Sequence, residues 1–155
     1  RRSVASARAR PAVGPARWQC ATRDAGPTTS HHACVILVNT SVWIDHLRRG
    51  DPELAALLQN GNVLAHSWVT GELALGHLAQ RSEILALLHN LPQAKAATDS
   101  EVLALIDNHQ LFDLGIGYVD AHLLAATMLT TGARLWTRDK RLAVVAAQHG
   151  LARGD

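Results

Sequence analysis

Only two cysteines, Cys20 and Cys34, occur in 155 residues, so no disulfide framework can be read and a reducing cytosol is the simpler setting. No apolar run approaches the roughly 18 residues that a helical membrane span needs. A secretory peptide would require about 7–15 consecutive apolar residues near the start, and the first 34 residues lack them. There is no phosphate-cradling glycine loop, and no Ser, His and Asp are arranged in a way that singles out a triad. Nucleotide-binding loops and serine hydrolase chemistry therefore find no support.

What is present divides into two unequal parts. Residues 1–34 hold six Arg and one Asp, while residues 35–155 hold nine Lys or Arg and twelve Asp or Glu. The basic pI of about 8.9 comes from the leader, so it is no argument for nucleic acid binding by the body. The leader is rich in Arg, Ala, Pro, Ser and Thr, without helical or strand period. It reads as disordered, an extension of cloning or annotation origin that carries no function. An organelle transit peptide fits less well. The single methionine is Met128, and a strand starting abruptly at Val35 fits a start codon read as Val. Residues 35–152 are expected to form one domain, since 48% apolar composition is normal for a globular chain.

Within that domain Val35–Val38 is an apolar, largely β-branched run suited to a strand buried on both faces. Thr40 or Ser41 can cap the following helix, which Gly50 ends. Asp51-Pro52 is an N-cap followed by proline at the first helical position, with Gly61 as the stop. A second strand is expected at 63–66, helices at 67–79 and 82–90, and a brief strand at 95–98. Asp99 or Ser100 then caps a helix whose inner side is Val102, Leu103, Leu105 and Ile106. A glycine-punctuated loop leads to a helix at 118–131, a strand at 133–136 and a last helix at 139–149. Strands alternating with helices imply an α/β fold with a parallel sheet covered on both faces. Such sheets bind ligands beyond the carboxyl ends of their strands.

Acids sit at those places. Asp120 shares a helix face with Leu123, Leu124 and Thr127 by the i+3, i+4, i+7 rule. Glu72 lies one turn before Gly76, whose missing side chain leaves room. Asp139 follows the last strand, two residues after Thr137. The first strand ends at Asn39, an amide where the pattern calls for a carboxylate. Taken singly, each acid reads as a helix cap or a surface ion pair. Taken together, inward-facing acids are costly unless a cation holds them, so the group points to a metal site. Asp45, Asp51, Glu53, Asp107 and Asp113 read as caps or solvated faces. His122 follows Asp120 by two and faces away from it. His31-His32-x-Cys34 lies in the leader and lacks a fourth ligand.

The stretches Val38-Asn-Thr-Ser-Val-Trp-Ile-Asp-His-Leu47, Gly115-Ile-Gly-Tyr-Val-Asp-Ala-His-Leu-Leu-Ala125 and Leu135-Trp-Thr-Arg-Asp139 resemble a PIN domain, specifically a VapC-type toxin of a bacterial toxin–antitoxin pair. The resemblance spans Val35 to about Ala152. It implies a three-layer α/β/α sandwich with a short, mostly parallel sheet, and a cytoplasmic endoribonuclease dependent on Mg²⁺ or Mn²⁺. Carried over by position, the acidic residues fall at Asn39, Glu72, Asp120 and Asp139. Thr40 or Ser41 and Thr137 match hydroxyl positions near the metal. Because the body is negative, the metal with Arg138, Lys140 and Arg141 at the site's lip would have to supply the attraction for RNA. The implied partners are a VapB-type antitoxin, an RNA substrate, and a second copy in a homodimer or a toxin–antitoxin hetero-oligomer.

Asn39 departs from that family's pattern. One charge at about 4 Å is worth roughly 4 kcal/mol at an effective dielectric near 20, more than a hundredfold in metal affinity. The expectation is a nuclease weakened or inactivated at this position. The rival is a PIN-fold module that binds antitoxin or RNA without cleaving. A phosphoaspartyl enzyme is disfavoured, because the second Asp that such phosphatases place two residues on is Ser41 here.

Overall fold

The computed structural model describes residues 34–154; the disorder expected for the leader lies outside them, apart from Cys34 at its edge. In chain order the elements are β1 (Val35–Val38), α1 (Thr40–Arg49), α2 (Pro52–Gln59), β2 (Val63–Leu64), α3 (Ser67–Leu75), α4 (Arg81–Asn90), α5 (Asp99–Asn108), α6 (Tyr118–Leu129), β3 (Ala133–Trp136) and α7 (Lys140–Gln148). No helix among the described residues is long and apolar enough to cross a membrane.

The three strands are all parallel in the order β2-β1-β3. Ile36 pairs with Val63, and Val35 to Val38 run in register with Ala133 to Trp136. A single bridge extends each edge, Ala65 with Gln93 and Leu135 with Ala152. From β1 the chain steps outward through β2 to Gln93, then returns across β1 to β3 and Ala152. Crossovers between parallel strands are right-handed, so α1–α4 cover one face and α5–α7 the other. Contacts of α1 with α3, α3 with α4, and α5 with α6 agree with this PIN-like layering. The direction of winding reverses at β1, and the gap between the ends of β1 and β3 is where such folds take ligands.

Central β1 is apolar because both its faces are covered: Leu37 and Val38 are fully buried. Helix α6 is nearly as enclosed, with Ala121 to Thr127 all buried. Within this frame several boundaries differ from the sequence expectation, each for a local reason. The α1 cap is neither Thr40 nor Ser41 but Asn39, whose Oδ1 accepts from Ser41 N at 3.1 Å. The α5 cap is Thr98 in a reciprocal pair with Glu101, rather than Asp99 or Ser100. Leu103 is exposed rather than inward. Helix α3 stops at Leu75 because Gly76 leaves helical geometry. The strand expected at 95–98 reduces to the bridge at Gln93; an Ala-rich stretch has little to pack on a pleated surface. Strand β2 is shortened to two residues because His66 turns to cap α3.

That cap is sensitive to protonation. His66 is 1% exposed, its Nδ1 accepts from Trp68 N at 3.2 Å, and its Nε2 has no hydrogen-bond partner. Burial, and then the neighbouring His122, lower its pKa below the ordinary 6.5. His149 is lowered as well, by burial and then His109. A histidine that resists protonation only when folded stabilises the fold above the unfolded pKa and loses that contribution as pH falls below it. Unfolding free energy should therefore decline below about pH 6.5, by up to about 1.4 kcal/mol per pH unit for each linked proton. His66→Asn keeps a capping side chain and should flatten the decline in denaturant melts. An equally steep profile in that variant would place the loss elsewhere.

Candidate active site

The end of β1 and the turn after β3 meet directly, Asn39 N donating to Trp136 O at 2.9 Å. This backbone contact brings Asn39, the residue between β1 and α1, beside the turn 137–139 that precedes α7. Asn39 is buried, 7% exposed.

Its amide is engaged at both ends. While Oδ1 caps α1, Nδ2 donates to Asp120 Oδ1 at 3.4 Å. The other oxygen of Asp120 accepts from Gly117 N at 2.8 Å, so the first turn of α6 fixes the carboxylate. A side chain at Gly117 would bring its Cβ to 3.5 Å from Asp120 Oδ2, an ordinary contact. Beside Asn39, Thr40 Oγ1 donates to Glu72 Oε2, which joins α1 to α3. Asp139 caps α7: its Oδ1 accepts from Arg141 N at 2.8 Å and Leu142 N at 3.0 Å, while its own N–H donates to Thr137 Oγ1 at 3.0 Å.

The structure thus joins Asn39 with Asp120, and Thr40 with Glu72, on adjacent residues at the start of α1. Asp139 and Thr137 belong to the turn stitched to that start: Arg138 N donates to Ser41 Oγ at 3.1 Å. Every donor in this set is an oxygen, the kind a hard cation such as Mg²⁺ takes. Convergence is another matter, because no three His, Cys, Asp or Glu among the described residues stand close enough to hold a metal ion. Of the three acids, Asp120 is the one whose side chain Asn39 touches. There the amide carries no charge and offers an N–H to a carboxylate oxygen.

Arg138 is placed differently from a free phosphate anchor. Its Nε lies 2.8 Å from Asp45 Oδ2 and its Nη2 2.6 Å from Asp51 Oδ2. Sequence reading treated both acids as caps or solvated faces. Asp51 does cap α2, through Oδ1 to Glu53 N and Leu54 N, but its second oxygen and Asp45 form a clasp that local pattern does not signal. Arg141 reaches back to Gly115 O at 3.3 Å. Lys140 has no ion-pair partner among the described residues. His122 faces away from Asp120 as expected and is buried, ringed by Trp68 and Tyr118.

No family model matches the chain. The chain is 49% identical over 118 residues to Ribonuclease VapC32 of Mycobacterium tuberculosis, in strain CDC 1551 / Oshkosh and equally in strain ATCC 25618 / H37Rv. The match spans 76% of this chain and 95% of the relative.

Proposed function

The chain belongs to the VapC ribonuclease family, and on that footing we propose that it is the toxin of a toxin–antitoxin pair, an endoribonuclease built for Mg²⁺ or Mn²⁺ and weakened by Asn39. The observation that carries the second half is the hydrogen bond from Asn39 Nδ2 to Asp120 Oδ1. An aspartate there would present two carboxylates to one cation; asparagine satisfies Asp120 with an N–H instead.

Hydrolysis of a phosphodiester needs a water made nucleophilic and the phosphate charge neutralised, which a divalent cation supplies when bound. The residues have separable parts in this. Gly117 N holds Asp120, Thr40 holds Glu72, and the α7 N–H groups hold Asp139 by one oxygen, leaving Asp139 Oδ2 without a hydrogen bond from the described residues. Thr137 orients the backbone of Asp139. With Arg138 committed to carboxylates, Lys140 and Arg141, which have no ion pair among the described residues, are the cations at this lip for an RNA backbone.

A groove of about 170 Å³ between α1, α3 and α4 borders Glu72 and is lined by Ile44, Leu47, Leu73, Leu78 and Ile84. It suits an apolar segment of a VapB-type antitoxin, which would cover Glu72 while seated there. A homodimer or a toxin–antitoxin hetero-oligomer is the assembly in keeping with this reading. The second reading, a PIN-fold module that binds antitoxin or RNA without cleaving, is favoured by the same Asn39 contact.

Growth of a bacterial host separates them. Induced expression of the Asn39→Asp variant should arrest growth, with relief on co-expression of the cognate antitoxin, while the chain as it stands should be tolerated. A variant as harmless as the parent, with cellular RNA intact, would favour the non-cleaving module.

A further inference from the structure

We propose that Arg138 is a positioning residue, not an RNA contact: its side chain anchors the turn 137–139, and with it the backbone of Asp139, against α1 and α2. The purpose of that turn rests on the nuclease reading above; the anchoring itself rests on geometry alone.

Arg138 links the β3–α7 turn by its side chain to two elements, α1 and α2. Asp45 lies in the second turn of α1 and Asp51 caps α2. The guanidinium forks between them at 2.8 and 2.6 Å. Both carboxylates are themselves fixed. Asp45 Oδ1 accepts from Arg49 at 3.1 Å, Asp51 Oδ1 caps two α2 amides, and Asp51 N donates to His46 Nδ1 at 3.0 Å. Their side chains are only 27% and 11% exposed. A planar fork with donors in fixed directions suits this double pairing, whereas an ammonium is a point charge that can serve only one partner well.

The main chain is held at the same residue. Arg138 N donates to Ser41 Oγ, and the next amide, of Asp139, donates to Thr137 Oγ1. Side chain and backbone thus tie one residue to α1 and α2 immediately before the acid. Metal-ligating groups must be placed within about 0.5 Å to be productive, and partners that orient such ligands typically carry about 10–100-fold of affinity or activity. A guanidinium already neutralised by two carboxylates is also a poor phosphate anchor, since RNA would have to displace both.

Two kinds of measurement test this. In the chain as it stands, ¹⁵N order parameters at Arg138 and Asp139 should sit near the rigid value of about 0.85 and drop below about 0.6 in Arg138→Ala. The same drop is expected in Asp45→Ala/Asp51→Asn, where asparagine keeps the α2 cap. In the Asn39→Asp background both sets of changes should lower kcat and Mn²⁺ affinity about tenfold or more, with KM within twofold and the salt slope of RNA binding unchanged. Arg138→Lys should fail to rescue. An RNA contact predicts the reverse: raised KM, a salt slope reduced by about one, rescue by lysine, and no effect of Asp45 and Asp51. Unchanged order parameters, or that reverse pattern, would overturn the proposal. An inert Asn39→Asp parent would count against the nuclease reading, and the order parameters would still decide whether Arg138 holds the turn.

Discussion

Replacing Asn39 by Asp should raise Mg²⁺- or Mn²⁺-dependent cleavage of RNA by at least about a hundredfold, with EDTA returning it to background. Two effects act in the same direction. The substitution adds a negative charge where a cation would sit, worth roughly 4 kcal/mol at about 4 Å and an effective dielectric near 20 before solvent reduces it. It also removes the Nδ2 donor that engages Asp120 Oδ1 at 3.4 Å, so that oxygen becomes free for a cation. The fold should tolerate the change, because Asp caps a helix as well as Asn and its charge suits the α1 N-terminus. Without a divalent ion, the new carboxylate and Asp120 repel each other. Mg²⁺ or Mn²⁺ should therefore raise the melting temperature of the variant and leave that of the parent nearly unchanged; saturation at about 100 times Kd corresponds to about 2.7 kcal/mol. Cleavage assays on labelled RNA and thermal melts, each with and without EDTA, read both effects. Equal, EDTA-resistant cleavage by parent and variant would sink the metal mechanism.

Asp139 carries two roles that one pair of substitutions can separate. Its Oδ1 caps α7 through Arg141 N and Leu142 N, so a purely structural account explains its presence. Serine caps a helix about as well as aspartate but carries no charge; alanine does neither. In the Asn39→Asp background, Asp139→Ser should lose cleavage by about a hundredfold or more while stability stays within about 0.5 kcal/mol. Asp139→Ala should lose cleavage equally and also about 1 kcal/mol of stability. Denaturant melts beside RNA cleavage give the comparison. If the serine variant cut RNA like its parent, Asp139 would be a cap and nothing more.

The sequence by itself determined the elements whose signal is local. Four apolar residues ending at Asn39 dictated a doubly covered strand, and β1 occupies Val35–Val38. Asp51-Pro52 opened α2 because a capping carboxylate and a preset φ act within three residues. The face Asp120, Leu123, Leu124 and Thr127 follows from helical period alone, and the last three are buried. Those signals, with the odd amide at 39, are what named the candidate residues.

Tertiary structure alone decided what each polar side chain does there. Asn39 meets Asp120 across 81 positions, Thr40 meets Glu72 across 32, and Arg138 meets Ser41 and Asp51 across 97 and 87. No periodicity or capping rule reaches such separations, which exist only because parallel strands place their ends side by side. Asp45 and Asp51 therefore read as no more than caps or solvated faces, and Arg138 as a cation open to RNA, until β3 was laid against β1. Competition settled Asn39 in the same way. Three adjacent residues can each cap α1, and the one chosen is the one whose remaining amide hydrogens find a carboxylate brought in by α6.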